Sequence, residues 1–342
     1  MSSLLKNTIS GFRYKDWSIG ETFTYFLKGI GREMNIAPAF LEEAHRKSIL
    51  KKRIKRVQKD KKTYPKHSEI HNILNTFENY LQSVKKKESN WVELKSNNDS
   101  SYFDIKGIKL PKILGRQDLA FFYGSMEDTF FIHAFFNDDY HKSIVDVLDK
   151  HMAEGPYGFI DGIFDVTVKN GDIVIDAGAW IGDFSAYAIH KGAIVFAFEP
   201  VKNIFDELSE MAKLNGEKLH PVQKGLSNVE GEIPIFISDS ASSIVQQVSS
   251  ISEIIKLTTL DKFVEENKLP RVDFIKADIE GAERDMLRGA TNVLKTFAPK
   301  LAICTYHLPD DPEVLESIIK EANPDYTVVH LRKKLFAFVW HT

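Results

Sequence analysis

The segment Asp176-Ala-Gly-Ala-Trp-Ile-Gly-Asp183 lies between a short apolar run, Ile173-Val-Ile, and a stretch with helical spacing, and no other feature restricts the fold as strongly. A chain that turns straight from a strand into a helix needs glycine where its backbone folds back or meets a ligand. Gly178 and Gly182 answer that need. The pattern then repeats. Residues 193–198, 220–223, 272–277 and 301–305 read as further buried strands, with 181–191, 203–214 and 281–294 as helices. Gly192 closes the first of these helices and Asn215-Gly216 caps the second. An antiparallel pair is expected over 225–237. Residues 326–332 and 336–340 fit two strands joined by a tight turn at Lys333-Lys334. Such alternation predicts an α/β fold: a doubly wound, mostly parallel, seven-stranded Rossmann-like sheet with an antiparallel terminal hairpin.

The 342 residues exceed what one core usually serves, so a further region is expected. Residues 37–62 read as a helix with Leu50, Ile54 and Val57 on one face. Tyr64-Pro65 interrupts it, and a second helix follows with Ile70, Ile73, Leu74, Phe77, Leu81 and Val84 three and four apart. Residues 1–100 hold 20 Lys+Arg against 11 Asp+Glu, whereas the remainder holds 25 against 37. This charge break and the polar run Ser96-Asn-Asn-Asp-Ser-Ser101 suggest three parts. They are a mainly helical basic region over 1–100, a lead-in over 101–170 with a β-hairpin turning at Lys106-Gly107, and the α/β domain over 171–342. The apolar stripe from Ile70 to Val84 needs a partner surface, which makes a homodimer through these helices an expectation.

One cysteine, Cys304 in an apolar run, excludes a disulfide framework and reads as a buried small hydrophobe. The N-terminal residues lack a signal-peptide pattern and no stretch approaches eighteen uncharged apolar residues. No membrane span is expected, and the cytoplasm is the default location.

The glycines of the 176–183 loop are four apart and follow an aspartate, unlike the G-x-G-x-x-G loop that presents amides to a pyrophosphate. S-adenosylmethionine (SAM) has no phosphate, and an acid at the strand tip suits its ammonium. Seventeen residues after Gly182 the second strand ends in Glu199-Pro200, where a carboxylate can accept both ribose hydroxyls. Asp176, Gly178, Ala179, Trp180, Gly182, Asp183, Glu199 and Pro200 are the candidate cofactor residues. Two later strands deliver Asp278-Ile-Glu280 and Thr305-Tyr-His307 to the same sheet edge. His307 or Asp278 is the expected general base, with Glu280 beside them, because an imidazole titrates near neutrality. A Mg²⁺ ion on Asp278, Glu280 and a nearby acid is a less favoured variant, and no metal ligand is assigned.

These segments resemble the FkbM family of methyltransferases. The resemblance rests on Val174-Ile-Asp-Ala-Gly-Ala-Trp-Ile-Gly-Asp-Phe184, Val195-Phe-Ala-Phe-Glu-Pro200, Thr259-Leu-Asp-Lys-Phe263, Phe274-Ile-Lys-Ala-Asp-Ile-Glu-Gly-Ala-Glu283, Leu287-Arg-Gly-Ala290 and Tyr306-His307. It covers roughly residues 155–342. It implies a SAM-dependent O-methyltransferase acting on a sugar, glycan or secondary metabolite, with Asp176, Gly178 and Glu199 in the cofactor site and Asp278, Glu280 and His307 near the acceptor. Trp180 departs from the family, where asparagine is usual. The alternative reading is a nucleic-acid-associated methyltransferase or binding protein, with the eleven basic residues from Arg46 to Lys66 on phosphates. A charge run on an amphipathic helix is more often a solvated face, so nucleic acid is not the expected partner.

Overall fold

The computed structural model describes residues 39–86, 93–96, 101–105, 108–111, 145, 147, 148, 150, 151, 157–237, 242–243 and 252–340. Two compact units result, one of residues 1–90 and 112–123, the other of residues 91–111 and 124–342. In the first, α1 (Ala39–Lys61) packs on α2 (Glu69–Lys86). Leu50, Ile54 and Val57 face Ile73, Leu74, Phe77 and Leu81 in a buried seam, and Ile70 is half-buried. The stripe on α2 therefore finds its partner surface in α1. The Val84 side chain lies outside the described residues. Gln58 Nε2 and Lys61 Nζ close the seam on Glu78, at 2.7 and 2.5 Å. Lys51, Lys52, Lys55, Arg56, Lys59 and Lys62 point to solvent.

The second unit opens with a three-stranded antiparallel sheet of β1 (Glu93–Ser96), β2 (Ser101–Ile105) and β3 (Ile108–Pro111). Ser96 stands opposite Ser101, so the polar run read as a linker instead joins two paired strands of one sheet. Ile105 stands opposite Ile108, which leaves the two-residue connection expected of a hairpin at Lys106-Gly107. A second hairpin, β4 (Phe159–Asp161) and β5 (Phe164–Val166), had no counterpart in the sequence reading. It stacks Phe159 on Phe336 and Phe164 on Phe338, edge to face.

The α/β elements then follow in the expected alternation. They begin with β6 (Ile173–Ala177), α3 (Asp183–His190), β7 (Ile194–Phe198), α4 (Lys202–Asn215) and β8 (Leu219–Val222). After an insertion come α5 (Leu260–Glu266), β13 (Phe274–Ala277), α6 (Glu283–Arg288), α7 (Thr291–Thr296), β14 (Lys300–Cys304), α8 (Asp311–Ala322), β15 (Tyr326–His330) and β16 (Lys334–Val339). The insertion holds β9 (Gly225–Leu226), β10 (Gly231–Ile237), β11 (Ser242–Ser243) and β12 (Ser252–Thr258). The seven-stranded sheet runs β15-β16-β14-β13-β6-β7-β8. Five neighbouring strands are parallel, and β16 is antiparallel to both β14 and β15, so the sheet is mixed. Central strands covered on both faces are apolar without alternation, and every residue of β6 and β13 is buried. Cys304 is buried at the end of β14.

Two expectations are corrected here. The antiparallel pair over 225–237 does not form, because β9 and β10 both pair with β12 instead, in a four-stranded sheet β11-β10-β12-β9. The helix over 281–294 is two short helices, broken at Gly289. A Cβ there would lie 2.0 Å from the Ser227 carbonyl, so the chain bends where it packs on that backbone. The Thr259-Leu-Asp261 motif is structural: Thr259 Oγ1 caps α5 through Lys262 N, and Asp261 accepts the Asn292 and Val293 amides at the start of α7. Among the described residues no helix is long and apolar enough to cross a membrane.

Candidate active site

The chain leaves β6 for β7 on one side and reaches β13 on the other only later, from β8 through the insertion and α5. The strand order therefore reverses at β6, and open α/β sheets bind ligands in the crevice at the carboxyl ends of strands at such a point. The loop after β6 lines it. Gly178 N and Ala179 N both donate to Phe198 O, at 3.1 and 2.9 Å, and tie the loop to the end of β7. Gly178 has φ +73°, and a Cβ there would fall 2.0 Å from the Asp278 carbonyl. Gly182 has φ +95°, and its Cβ would meet Met211 Sδ at 2.5 Å and Leu208 Cδ1 at 2.9 Å. Folding back or close approach to a ligand were the reasons expected for Gly182; the structure adds close packing against α4. Trp180 is left-handed as well, with φ +49°. Asparagine tolerates that conformation far better than other side chains with a Cβ, which is why asparagine suits the position.

Glu199 ends β7 with 6% exposure. Its Oε1 accepts the Val201 amide at 2.9 Å, and the Trp180 amide also reaches the carboxylate. Burial pushes its pKa up to about 8, against the pull of those amides and of Lys276, with Asp176 adding to the rise. Pro200 follows it, half-buried, and helps set the chain into α4.

Asp176 is wholly buried. Ser185 Oγ donates to its Oδ2 at 2.6 Å, and Lys276 Nζ lies 3.1 Å from its Oδ1. Lys276 also donates to the Gly178 carbonyl at 2.7 Å and sits 5.4 Å from the Tyr157 ring centre. Burial alone would lower the Lys276 pKa, yet Asp176, Asp278 and Asp183 hold it above the ordinary lysine value. Asp183 is buried at the first turn of α3. An acid awaiting a ligand's ammonium was expected at Asp176; its charge is already matched by Lys276, so it braces the loop from below.

Asp278, Glu280 and His307 do come together, as expected. His307 Nε2 lies 3.4 Å from Asp278 Oδ1 and 3.6 Å from Glu280 Oε2, and Nδ1 lies 3.0 Å from Glu283 Oε1. Glu283, fully buried, accepts the Ile279 and Gly281 amides at 2.8 and 3.0 Å. Asp278 accepts the Tyr306 and Tyr157 hydroxyls at 2.9 and 3.1 Å. Burial works to raise the Asp278 pKa, but Lys276, His307 and Lys334 keep it below the usual range. Glu280, with φ +56° and its side chain 39% exposed, is the most open of these acids. Burial holds its pKa above the usual range; His307 opposes this, and Asp278 and Glu283 add to it.

His307 departs from the expectation of a neutral base. Burial lowers an imidazole's pKa, but Glu283, Asp278 and Glu280 outweigh it and push the value up to about 9. At neutral pH the ring already carries its proton and cannot take another.

Lys276, Glu283, Tyr157 and Tyr306 were not foreseen as site residues. Lys276 left a signal, because a lysine inside the otherwise apolar run Phe274-Ile-Lys-Ala277 must find a buried counter-charge. Glu283 looked like an ordinary first-turn acid, and the fold-back onto loop amides has no signature in spacing.

Comparison with known proteins falls on the same segments. The methyltransferase FkbM domain family matches residues 176–332. The hexuronic acid methyltransferase AglP of Haloferax volcanii is 31% identical over 166 residues, spanning 48% of this chain and 68% of its own. Methyltransferase sdnD of Sordaria araneosa is 23% identical over 207 residues, spanning 49% of this chain and 80% of its own. Among solved structures, the methyltransferase FkbM from Methylobacillus flagellatus KT is 20% identical with a TM-score of 0.42. That match covers 65% of this chain and 59% of the other, less than two thirds of its length.

Proposed function

The chain belongs to the FkbM methyltransferase family, and from that premise we propose that it transfers the methyl group of SAM to an oxygen of a sugar-type acceptor. The observation that carries this reading is the gathering at one sheet edge of the 176–183 loop, Glu199 and the cluster of Asp278, Glu280 and His307. Glu199 is the acceptor for the ribose hydroxyls, and the loop is the floor under the donor. Lys276 and Asp176 keep that floor rigid. A sulfonium donor brings its own leaving group, so the protein's work is to align the acceptor oxygen and to shelter the transfer.

The proton of an acceptor hydroxyl goes to a carboxylate in this scheme, since His307 is already charged. Asp278 is occupied by two tyrosine hydroxyls. Glu280 is the most exposed acid of the cluster and stands at its solvent side, where an incoming oxygen would arrive. His307 holds the three acids in place. The hexuronic acid methyltransferase among the relatives makes acidic sugars the first acceptors to try. The test is incubation with methyl-labelled SAM and oligosaccharides carrying glucuronic or galacturonic acid, beside neutral counterparts. Label on a sugar oxygen supports the reading. Absence of SAM binding by calorimetry overturns the donor, and label on nucleic acid or protein alone overturns the acceptor.

A further inference from the structure

We propose that His307, Asp278 and Glu283 form a binding site for a divalent transition-metal ion, with Mn²⁺ preferred over Mg²⁺. The first observation is geometric. One donor atom from each residue lies within 4.8 Å of the others. Two ligands each about 2.1 Å from one ion stand at most about 4.2 Å apart, so side-chain shifts of under about an ångström would close the set.

The second observation concerns the imidazole itself. The His307 side chain is 8% exposed, and neither ring nitrogen has a hydrogen-bond partner. Buried polar groups are almost always satisfied, so an orphaned ring among carboxylates needs an explanation. Its neighbours are near, at 3.0 Å for Glu283 and 3.4 Å for Asp278, but lie off the N–H directions. Three carboxylates ion-pair with the ring yet none meets hydrogen-bond geometry at its nitrogens, an arrangement that an ion at a shared centre would satisfy.

The supporting residues fit a metal site too. Metal ligands are usually held by further hydrogen bonds that fix their orientation. Glu283 is pinned by the Ile279 and Gly281 amides, and Asp278 by the Tyr157 and Tyr306 hydroxyls. Two buried lysines, Lys276 and Lys334, act on Asp278 through their charge, while the ammonium of Lys276 is bonded to Asp176 and the Gly178 carbonyl. Glu280, 3.6 Å from the ring, adds a further carboxylate at the open side. The ion would displace the proton that His307 carries in the metal-free protein. One imidazole nitrogen with carboxylate oxygens suits Mn²⁺ or Zn²⁺, whereas Mg²⁺ favours all-oxygen shells. Three protein ligands leave positions open, where an acceptor hydroxyl would be acidified and Glu280 could take its proton.

The test does not rest on the proposed donor or acceptor, because it measures Mn²⁺ alone. Titrating the full chain with MnCl₂ and following the six-line paramagnetic signal of free Mn²⁺ should show depletion at about one ion per chain. Asp278→Asn and His307→Gln, each verified as folded by circular dichroism, should weaken binding by about tenfold or more. Asp325→Asn, on the surface away from the cluster, should bind as the wild type does. A hundredfold excess of Mg²⁺ should leave most Mn²⁺ bound. The proposal is overturned if millimolar Mn²⁺ stays free, if both variants bind it unchanged, or if Mg²⁺ displaces it at parity. Should His307→Gln fail to fold, Asp278→Asn, which keeps the side-chain shape, decides alone.

Discussion

Lys276 Nζ lies 3.1 Å from Asp176 Oδ1, and both side chains are closed off from solvent beneath the 176–183 loop. Removing one partner of such a pair strands a charge in the interior, which costs about 3–5 kcal/mol. Lys276→Met should therefore unfold at markedly lower urea. Lys276→Met combined with Asp176→Asn should recover part of the loss, because the buried Asp176 charge is then no longer stranded. Equal midpoints for the single and double variants would show that the pair does not act as a unit.

Gly182 and Gly178 should respond differently to substitution. Both have positive φ, so alanine at either is strained. At Gly182 the added methyl meets Met211 and Leu208 side chains, which can be trimmed. Gly182→Ala should lose about 1–3 kcal/mol from overpacking and backbone strain, and Met211→Ala should restore the packing share. At Gly178 the obstacle is the Asp278 carbonyl, and no side-chain change can relieve it. Paired melting curves check this; rescue of Gly178→Ala by a side-chain substitution would contradict it.

Glu199 gives the protein a pH signature. Its pKa stands at about 8 in the folded chain against a usual 4.5, so the folded protein keeps a proton that the unfolded chain has lost. Its contribution to the stability of the ligand-free protein is full below about pH 4.5 and is lost as pH rises through 8. If Glu199 holds the donor's ribose as proposed, donor binding runs the other way, because ribose hydroxyls need the ionised carboxylate. SAM affinity should rise about tenfold per pH unit from pH 6 to 8, then level off, with one proton released on binding. Calorimetry in buffers of different ionisation heat reads that proton directly. Glu199→Gln should flatten the profile, and a flat wild-type profile would refute the assignment.

The fold was legible in the sequence because its strands are apolar on both faces and its helices end in recognisable caps. Ile173-Val-Ile, Val195-Phe-Ala-Phe198 and Phe274-Ile could hardly be anything but central strands. What stayed hidden depends on contacts between distant segments. The polar run at 96–101 has loop composition, and only the pairing of Ser96 with Ser101 makes it a hairpin connection. The shared sheet edge was legible as well, since Glu199, Asp278, Glu280 and His307 all follow strands. The site's electrostatics were not. Whether a histidine is neutral or charged depends on how many carboxylates surround it, and Glu283 was invisible as the third.

The redrawn hairpin moves the place at which the chain can be cut. A chain beginning at Ser101 loses β1 and bares the edge of β2, whereas one beginning at Trp91 keeps all three strands. The longer form should fold and bind SAM, and the shorter should melt lower and aggregate more readily. Sedimentation of both the full chain and the form beginning at Trp91 also tests assembly through the helices. The seam of α1 and α2 buries the stripe on α2, so a dimer would need another face of that unit. A shift from dimer to monomer on truncation would establish one.

Glu280 is the residue on which the chemical reading turns. It sits at the open side of the cluster in a left-handed backbone conformation, φ +56°, that side chains bearing a Cβ adopt at a cost. Strain of that kind persists where the surrounding structure enforces it, here through the loop pinned by Glu283 on either side of Glu280. If Glu280 accepts the proton of an acceptor hydroxyl, Glu280→Gln keeps its size and hydrogen bonding but removes the basic oxygen. The turnover number should then fall about 10²–10⁴-fold, with SAM affinity unchanged. His307→Gln should lower turnover by loosening the three acids, and in the metal-free protein it should not abolish a pH dependence near neutrality, since the His307 pKa stands at about 9 there. An acidic-sugar acceptor adds a sharper contrast. Transfer to a carboxylate oxygen needs no base, so Glu280→Gln should leave esterification of a uronic acid nearly intact while it halts transfer to a hydroxyl. Equal losses on both acceptors would assign Glu280 to positioning rather than to proton transfer.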